Sequence, residues 1–218
     1  MSKHTNPPGS HNNSMSGFTL VELMVATLVF ATVLLMITVA VIQINRVYYK
    51  GVTESNTQNV ARNIVDTLSQ AIQFNAGSVD NTPDTPPPEG TQQNICIGDQ
   101  QFVFIRGYRL VNGSAGTHET NQALLQQTAH GDCAPPPSPL PANFGRELLT
   151  PGMRLSNLEV RKVDDTNLYK LSVTVSYGNS DAFDDDLATA PKCQSLATNN
   201  QFCSVSEINT VVEKRVGD

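Results

Sequence analysis

One carboxylate stands at the edge of the most apolar stretch of the chain. The segment Ser16-Gly17-Phe18-Thr19-Leu20-Val21-Glu22 runs directly into Leu23–Ile42, 20 residues without a charge, whose only polar members are Thr27, Thr32 and Thr38. A carboxylate kept next to lipid is costly to desolvate, so Glu22 marks a site of function unless it is only the boundary residue of a membrane interface. Three other groups have the residue types for chemistry. Cys96, Cys133, Cys193 and Cys203 are even in number and widely spaced, which fits disulfides in an oxidising compartment. No C-x2-C pair exists to favour zinc. Asp181, Asp184, Asp185 and Asp186 crowd the stretch NSDAFDDDL and have the hard oxygen ligands of a calcium loop. Their spacing departs from the EF-hand pattern, and a solvated acidic loop is the simpler reading. His4, His11, His118 and His130 lie in no recognisable motif, and no G-x-S-x-G, P-loop or H-E-x-x-H occurs. No enzyme activity and no cofactor are expected.

The elements that must position these groups follow from the pattern of apolar residues. Twenty helical residues span ~30 Å, the thickness of a hydrocarbon core. The run is apolar on every face, unlike a core helix with one buried stripe. Its threonines can return their hydroxyls to the preceding turn and so tolerate lipid. The polar stretch Met1–Gly17 precedes the run, and the small residues Ser16-Gly17 come before it rather than after, the reverse of a secretory signal. Beyond Ile42 the helix should continue to about Asn75, with Val60, Ile64, Leu68 and Ala71/Ile72 at helical spacing and Gly77 as a stop. Residues 81–90 form a Pro-rich linker. Strands are expected over Gln101–Val111, with a turn at Asn112-Gly113, over Leu155–Val163 and Leu168–Tyr177 as a hairpin, and over Ile208–Val216; Ala123–Thr128 could pair back. The four cysteines allow three connectivities; Cys96–Cys133 with Cys193–Cys203 is preferred, the second pair closing a short loop.

Composition limits the function. The 218 residues carry 14 Lys+Arg against 20 Asp+Glu, a net charge of −6. Nucleic-acid binding normally needs a basic excess, so direct contact with nucleic acid is not expected. A local basic patch of Arg106, Arg109, Arg161 and Lys162 is conceivable. Charged residues are 16% of the chain, and 19 Asn and 13 Gln supply much of its polar surface instead.

The junction Gly17-Phe18-Thr19-Leu20-Val21-Glu22, followed by the uncharged 20-mer, resembles the type IV prepilin family. The resemblance implies a leader, residues 1–17, removed by a prepilin peptidase between Gly17 and Phe18, with N-methylation of the new Phe18 amine. Met15 offers an alternative start with a minimal leader. It further implies an α+β pilin fold: a helix whose first half (18–45) anchors in the membrane and later packs in a filament core, an amphipathic second half (46–76), and a β-rich head (77–218) outside the cytoplasm with an antiparallel sheet. Glu22 would pair with the Phe18 amine of a neighbouring subunit during assembly. The partners implied are other pilin subunits, the peptidase, an inner-membrane assembly platform and, before assembly, lipid. The location implied is the cytoplasmic membrane and then a surface pilus. A minor pilin is the preferred role, supporting adhesion, motility or DNA uptake. A pseudopilin of a type II secretion system shares the same junction, and a membrane-anchored binding protein would need neither Glu22 nor the cut.

Overall fold

The computed structural model describes residues 17–80, 82–83, 87–128, 133–183, 191–194 and 202–216. Its first element is helix α1, Leu20–Phe74. No proline occurs along it, so nothing removes a hydrogen bond from its interior. The chain divides into two compact units, Met1–Asn45 and Arg46–Asp218.

In the first unit the apolar side chains are left uncovered. Leu23, Val29, Leu35 and Ile42 are all exposed, and the segment is long and apolar enough to cross a membrane.

In the second unit α1 buries one stripe. Thr57, Val60, Ala61, Ile64, Val65, Leu68, Ala71 and Ile72 recur every three or four residues, which brings them to one face. Ile64, Leu68 and Ile72 are fully enclosed in a core completed by Phe102, Phe104, Leu124, Leu155, Leu171 and Val173. The helix ends where expected, and Gly77 follows with φ of 101°.

Among the described residues nine strands form two sheets. The first has the order β1-β2-β5-β6 and joins β1 (Gln92–Ile97), β2 (Gln100–Ile105), β5 (Leu124–Thr128) and β6 (Arg146–Glu147), all antiparallel. The second has the order β4-β3-β7-β8-β9 and joins β4 (Glu119–Thr120), β3 (Arg109–Leu110), β7 (Met153–Lys162), β8 (Leu168–Tyr177) and β9 (Ser204–Glu213). The α+β class stands, and so does the β7–β8 hairpin. In β8, Leu171, Val173 and Val175 are fully buried, as their alternation with serine and threonine implies. The antiparallel pairing expected of the head holds for most of its strands; among the described residues it is divided between two sheets, and β3 pairs with β4 in parallel. Gln101–Val111 is likewise not one strand. It breaks at Gly107, whose φ of 78° interrupts the pleat, so β2 serves one sheet and β3 the other. A side chain at Gly107 would also meet Glu89 at about 3.0 Å. The described part of the Pro-rich segment is more than a linker, since Thr82 N–H donates to Val160 O at 3.0 Å and Gly90 N–H to Arg106 O at 3.1 Å.

Candidate functional site

Thr19 and Glu22 bond to each other at the start of α1. The Thr19 carbonyl accepts the first helical bond, from Leu23 N–H at 3.2 Å. The Thr19 hydroxyl accepts from Glu22 N–H at 3.3 Å. In return the Glu22 carboxylate accepts from Thr19 N–H and from the Thr19 hydroxyl, each at 2.9 Å. This is a capping box, which satisfies donors that a helix start leaves without intrahelical partners. Its signal, T-x-x-E before an apolar run, is legible in Thr19-Leu20-Val21-Glu22, and residue-by-residue reading of the charge missed it. Glu22 is therefore not idle at the edge of the span. Its carboxylate is held by the N–H and hydroxyl of Thr19, the residue that follows Phe18.

Phe18 precedes the cap and is 85% exposed. Gly17 is also exposed, and a Cβ built on it would meet none of the described residues within 4 Å. Among the described residues, then, no neighbour demands a glycine at position 17. If glycine is required there, the requirement comes from something that approaches the chain from outside.

Along the apolar run each threonine is satisfied from within. Thr27 donates to Met24 O at 2.9 Å, Thr32 to Val29 O at 2.8 Å and Thr38 to Leu34 O at 2.8 Å. No hydroxyl of the run is left to be desolvated unpaired.

The other candidate groups are placed as follows. Cys96 bonds to Cys133 and Cys193 to Cys203. The first bridge ties β1 to the segment beyond β5, and the second closes the loop that leads into β9. Asp181 lies in a short 3-10 turn, Ser180–Ala182; Asp184, Asp185 and Asp186 lie outside the described residues, as do His4, His11, His130 and Met15. His118 packs edge-on against Tyr108 with ring centroids 5.6 Å apart. The conceivable basic patch does not form a free basic face. Arg106 is buried and donates Nε to Ser156 O at 3.2 Å, Arg109 pairs with Glu119 and Asn179, and Arg161 pairs with Glu159.

Residues 12–38 match the family described as the prokaryotic N-terminal methylation motif. The match covers Gly17 and Phe18, the capping box and most of the apolar run. It supports a precursor of type IV pilin or pseudopilin type, a structural protein rather than an enzyme, anchored in a membrane before it assembles with other subunits. No curated protein and no solved structure matches the chain.

Proposed function

We propose that this chain is a prepilin cut between Gly17 and Phe18, methylated on the Phe18 amine, and assembled through its N-terminal helix as a minor subunit of a type IV pilus. The observation that carries the reading is the pairing of an externally imposed glycine with a capped carboxylate. No described residue crowds Gly17, and a residue with no side chain leaves its peptide bond open to a narrow peptidase cleft. Cutting there turns the Phe18 N–H into an ammonium four residues before Glu22. The Glu22 carboxylate is bonded to Thr19, the residue next to Phe18, so the cap keeps the carboxylate beside the end of the chain that carries the ammonium.

In a lone subunit Thr19 holds the carboxylate and the new ammonium is close to it. In a bundle of such helices the carboxylate can turn to the ammonium of a neighbour. A register that leaves either charge buried and unpaired is penalised, so the pair acts as a selector of axial position. Before assembly the apolar run lies in the cytoplasmic membrane, with residues 46–218 outside the cytoplasm, where two disulfides are stable. Prepilin peptidase and an inner-membrane platform are the partners of that stage. A pseudopilin of a type II secretion system would use the same junction; the two disulfides lean towards a pilin.

Intact-mass measurement of the protein from cells that contain the peptidase tests the processing. The expected species begins at Phe18 and carries one extra methyl group. A chain that keeps residues 1–17 in such cells refutes the proposal. Labelling on intact cells then separates the roles: signal on surface filaments supports the pilus, and signal confined to the envelope supports the pseudopilin.

A further inference from the structure

Three exposed aromatic rings meet in the second unit. Tyr48 and Tyr49 stand edge to face with ring centroids 5.9 Å apart. Tyr49 in turn meets Phe202, with centroids 6.0 Å apart. Tyr48 is 65% exposed, Tyr49 52% and Phe202 42%. The tyrosines belong to α1, whereas Phe202 comes from the far end of the chain, next to Cys203 of the second disulfide. Arg46 and Lys50 flank the tyrosines in sequence, and both are exposed. Lys192 is exposed too and lines one groove with Lys50, Cys193 and Cys203. Glu54 and Glu207 line the same groove; Glu54 is a full turn further along α1 than Lys50. The charges next to the rings in the chain are therefore positive, which suits lipid phosphates.

The place of the rings in the chain says what covers them. Ile42 closes the uncharged run, and α1 continues through Tyr48 and Tyr49. Six residues of helix rise ~9 Å. A headgroup layer adds ~5–8 Å to each side of a hydrocarbon core. Helical side chains tilt back towards the N-terminus, so both tyrosines reach back into that layer. Tyrosine is enriched at this depth, where its ring meets apolar groups and its hydroxyl meets water. Phe202 touches Tyr49 and so lies at the same level. We propose that the Tyr48–Tyr49–Phe202 cluster is a lipid contact, through which the disulfide-bridged end of the head rests on the leaflet where the run emerges, with Arg46, Lys50 and Lys192 towards the lipid phosphates. This inference rests on the membrane-anchored state of the chain and not on the pilus reading.

The chain has no tryptophan, so a single one reports its own depth. Phe202→Trp, Leu35→Trp and Val211→Trp are each made in the mature chain. Each is reconstituted at low protein density into vesicles of phosphatidylcholine and phosphatidylglycerol in equal parts. The acyl chains carry bromine either near the glycerol or near their ends, and bromine quenches only a ring that it touches. Leu35→Trp, on the run, should lose most intensity to bromine near the chain ends. Val211→Trp, exposed towards the other end of β9, should lose none. Phe202→Trp is expected to emit further to the blue than Val211→Trp and to lose intensity to bromine near the glycerol. Phe202→Trp left unquenched while Leu35→Trp is quenched overturns the lipid contact and leaves the anchor standing. A blue emission in that case puts another protein surface on the ring, and a red one puts water there. Leu35→Trp left unquenched refutes the membrane anchor itself, and the lipid contact with it.

Discussion

The capping box at the start of α1 allows the two roles of Glu22 to be separated by three substitutions. Glu22→Gln keeps an oxygen that can accept from Thr19 N–H and the Thr19 hydroxyl, so the cap survives while the charge is lost. Thr19→Val does the opposite: it removes the hydroxyl that bonds Glu22 in both directions and leaves the charge in place. Glu22→Ala removes both. Loss of an N-cap hydroxyl costs about 1 kcal/mol, roughly a fivefold shift in the fraying of the first turn. A buried ammonium left without its carboxylate partner costs several times more, on the order of a hundredfold or greater in subunit association. Thr19→Val should therefore assemble at near wild-type level, and Glu22→Gln should fail as completely as Glu22→Ala. The assay is the amount of each variant sheared from the cell surface with filaments, relative to the amount in the membrane, in cells where N-terminal processing is verified by mass. All three should be cut, because none changes Gly17 or Phe18. Filaments that accept Glu22→Gln but exclude Thr19→Val would refute charge pairing and leave helix capping as the reason for the glutamate.

Two further outcomes are expected in the second unit. Leu68→Ala, at a position with no exposed surface, should cost about 2–5 kcal/mol and lower Tm by several degrees, whereas Leu35→Ala on the uncovered run should leave that transition unchanged; calorimetry of the mature chain in detergent reads both. Glu147 accepts Ala123 N–H at 2.7 Å, Leu124 N–H at 2.9 Å and Leu149 N–H at 3.1 Å, yet burial still raises its pKa above the usual carboxylate value. The folded state thus holds this proton more tightly than the unfolded chain does. Its stabilising contribution is full below the unfolded pKa of about 4.3 and is lost as pH rises through the folded value. Glu147→Gln should remove that slope and cost about 1–3 kcal/mol through the donor it turns towards Ala123 N–H. Urea titrations from pH 4 to 7 that show the same slope in both proteins contradict the assignment.

The helix was legible because its two halves announce themselves differently: every face apolar before Ile42, then one stripe through Val60, Ile64, Leu68 and Ile72. The β7–β8 hairpin was legible from the alternation around Leu171, Val173 and Val175. Three features of the remaining fold were not. β1 has the sequence Gln92-Gln93-Asn94-Ile95-Cys96-Ile97, and its amides hide a strand whose last three residues are all buried. The split between β2 and β3 hides in a run that is apolar and aromatic on both sides of Gly107; only the backbone reveals that the glycine turns the chain from one sheet to the other. Arg154, the second residue of β7, carries no signal of its burial in the sequence. Its burial depends on Gly107, Gly178 and Phe183, which are remote in sequence. At the N-terminal junction the charge of Glu22 was read, and its hydrogen bonds to Thr19 were not, although the two residues sit within one turn.

The internal bonds of Thr27, Thr32 and Thr38 have a consequence for how such a helix can be handled. Each hydroxyl is turned inward to its own backbone, so a neighbour or a lipid chain meets only apolar groups: aliphatic carbons, the Phe30 ring and the Met24 and Met36 thioethers. No side chain of the run offers a hydrogen bond that sliding or rotation would break. The segment is a smooth rod, and it can leave one apolar surrounding for another with little direction-dependent resistance. Such a surface cannot by itself specify where the rod stops. The stop must be set at its end, where the Glu22 carboxylate and the proposed Phe18 ammonium supply the notch.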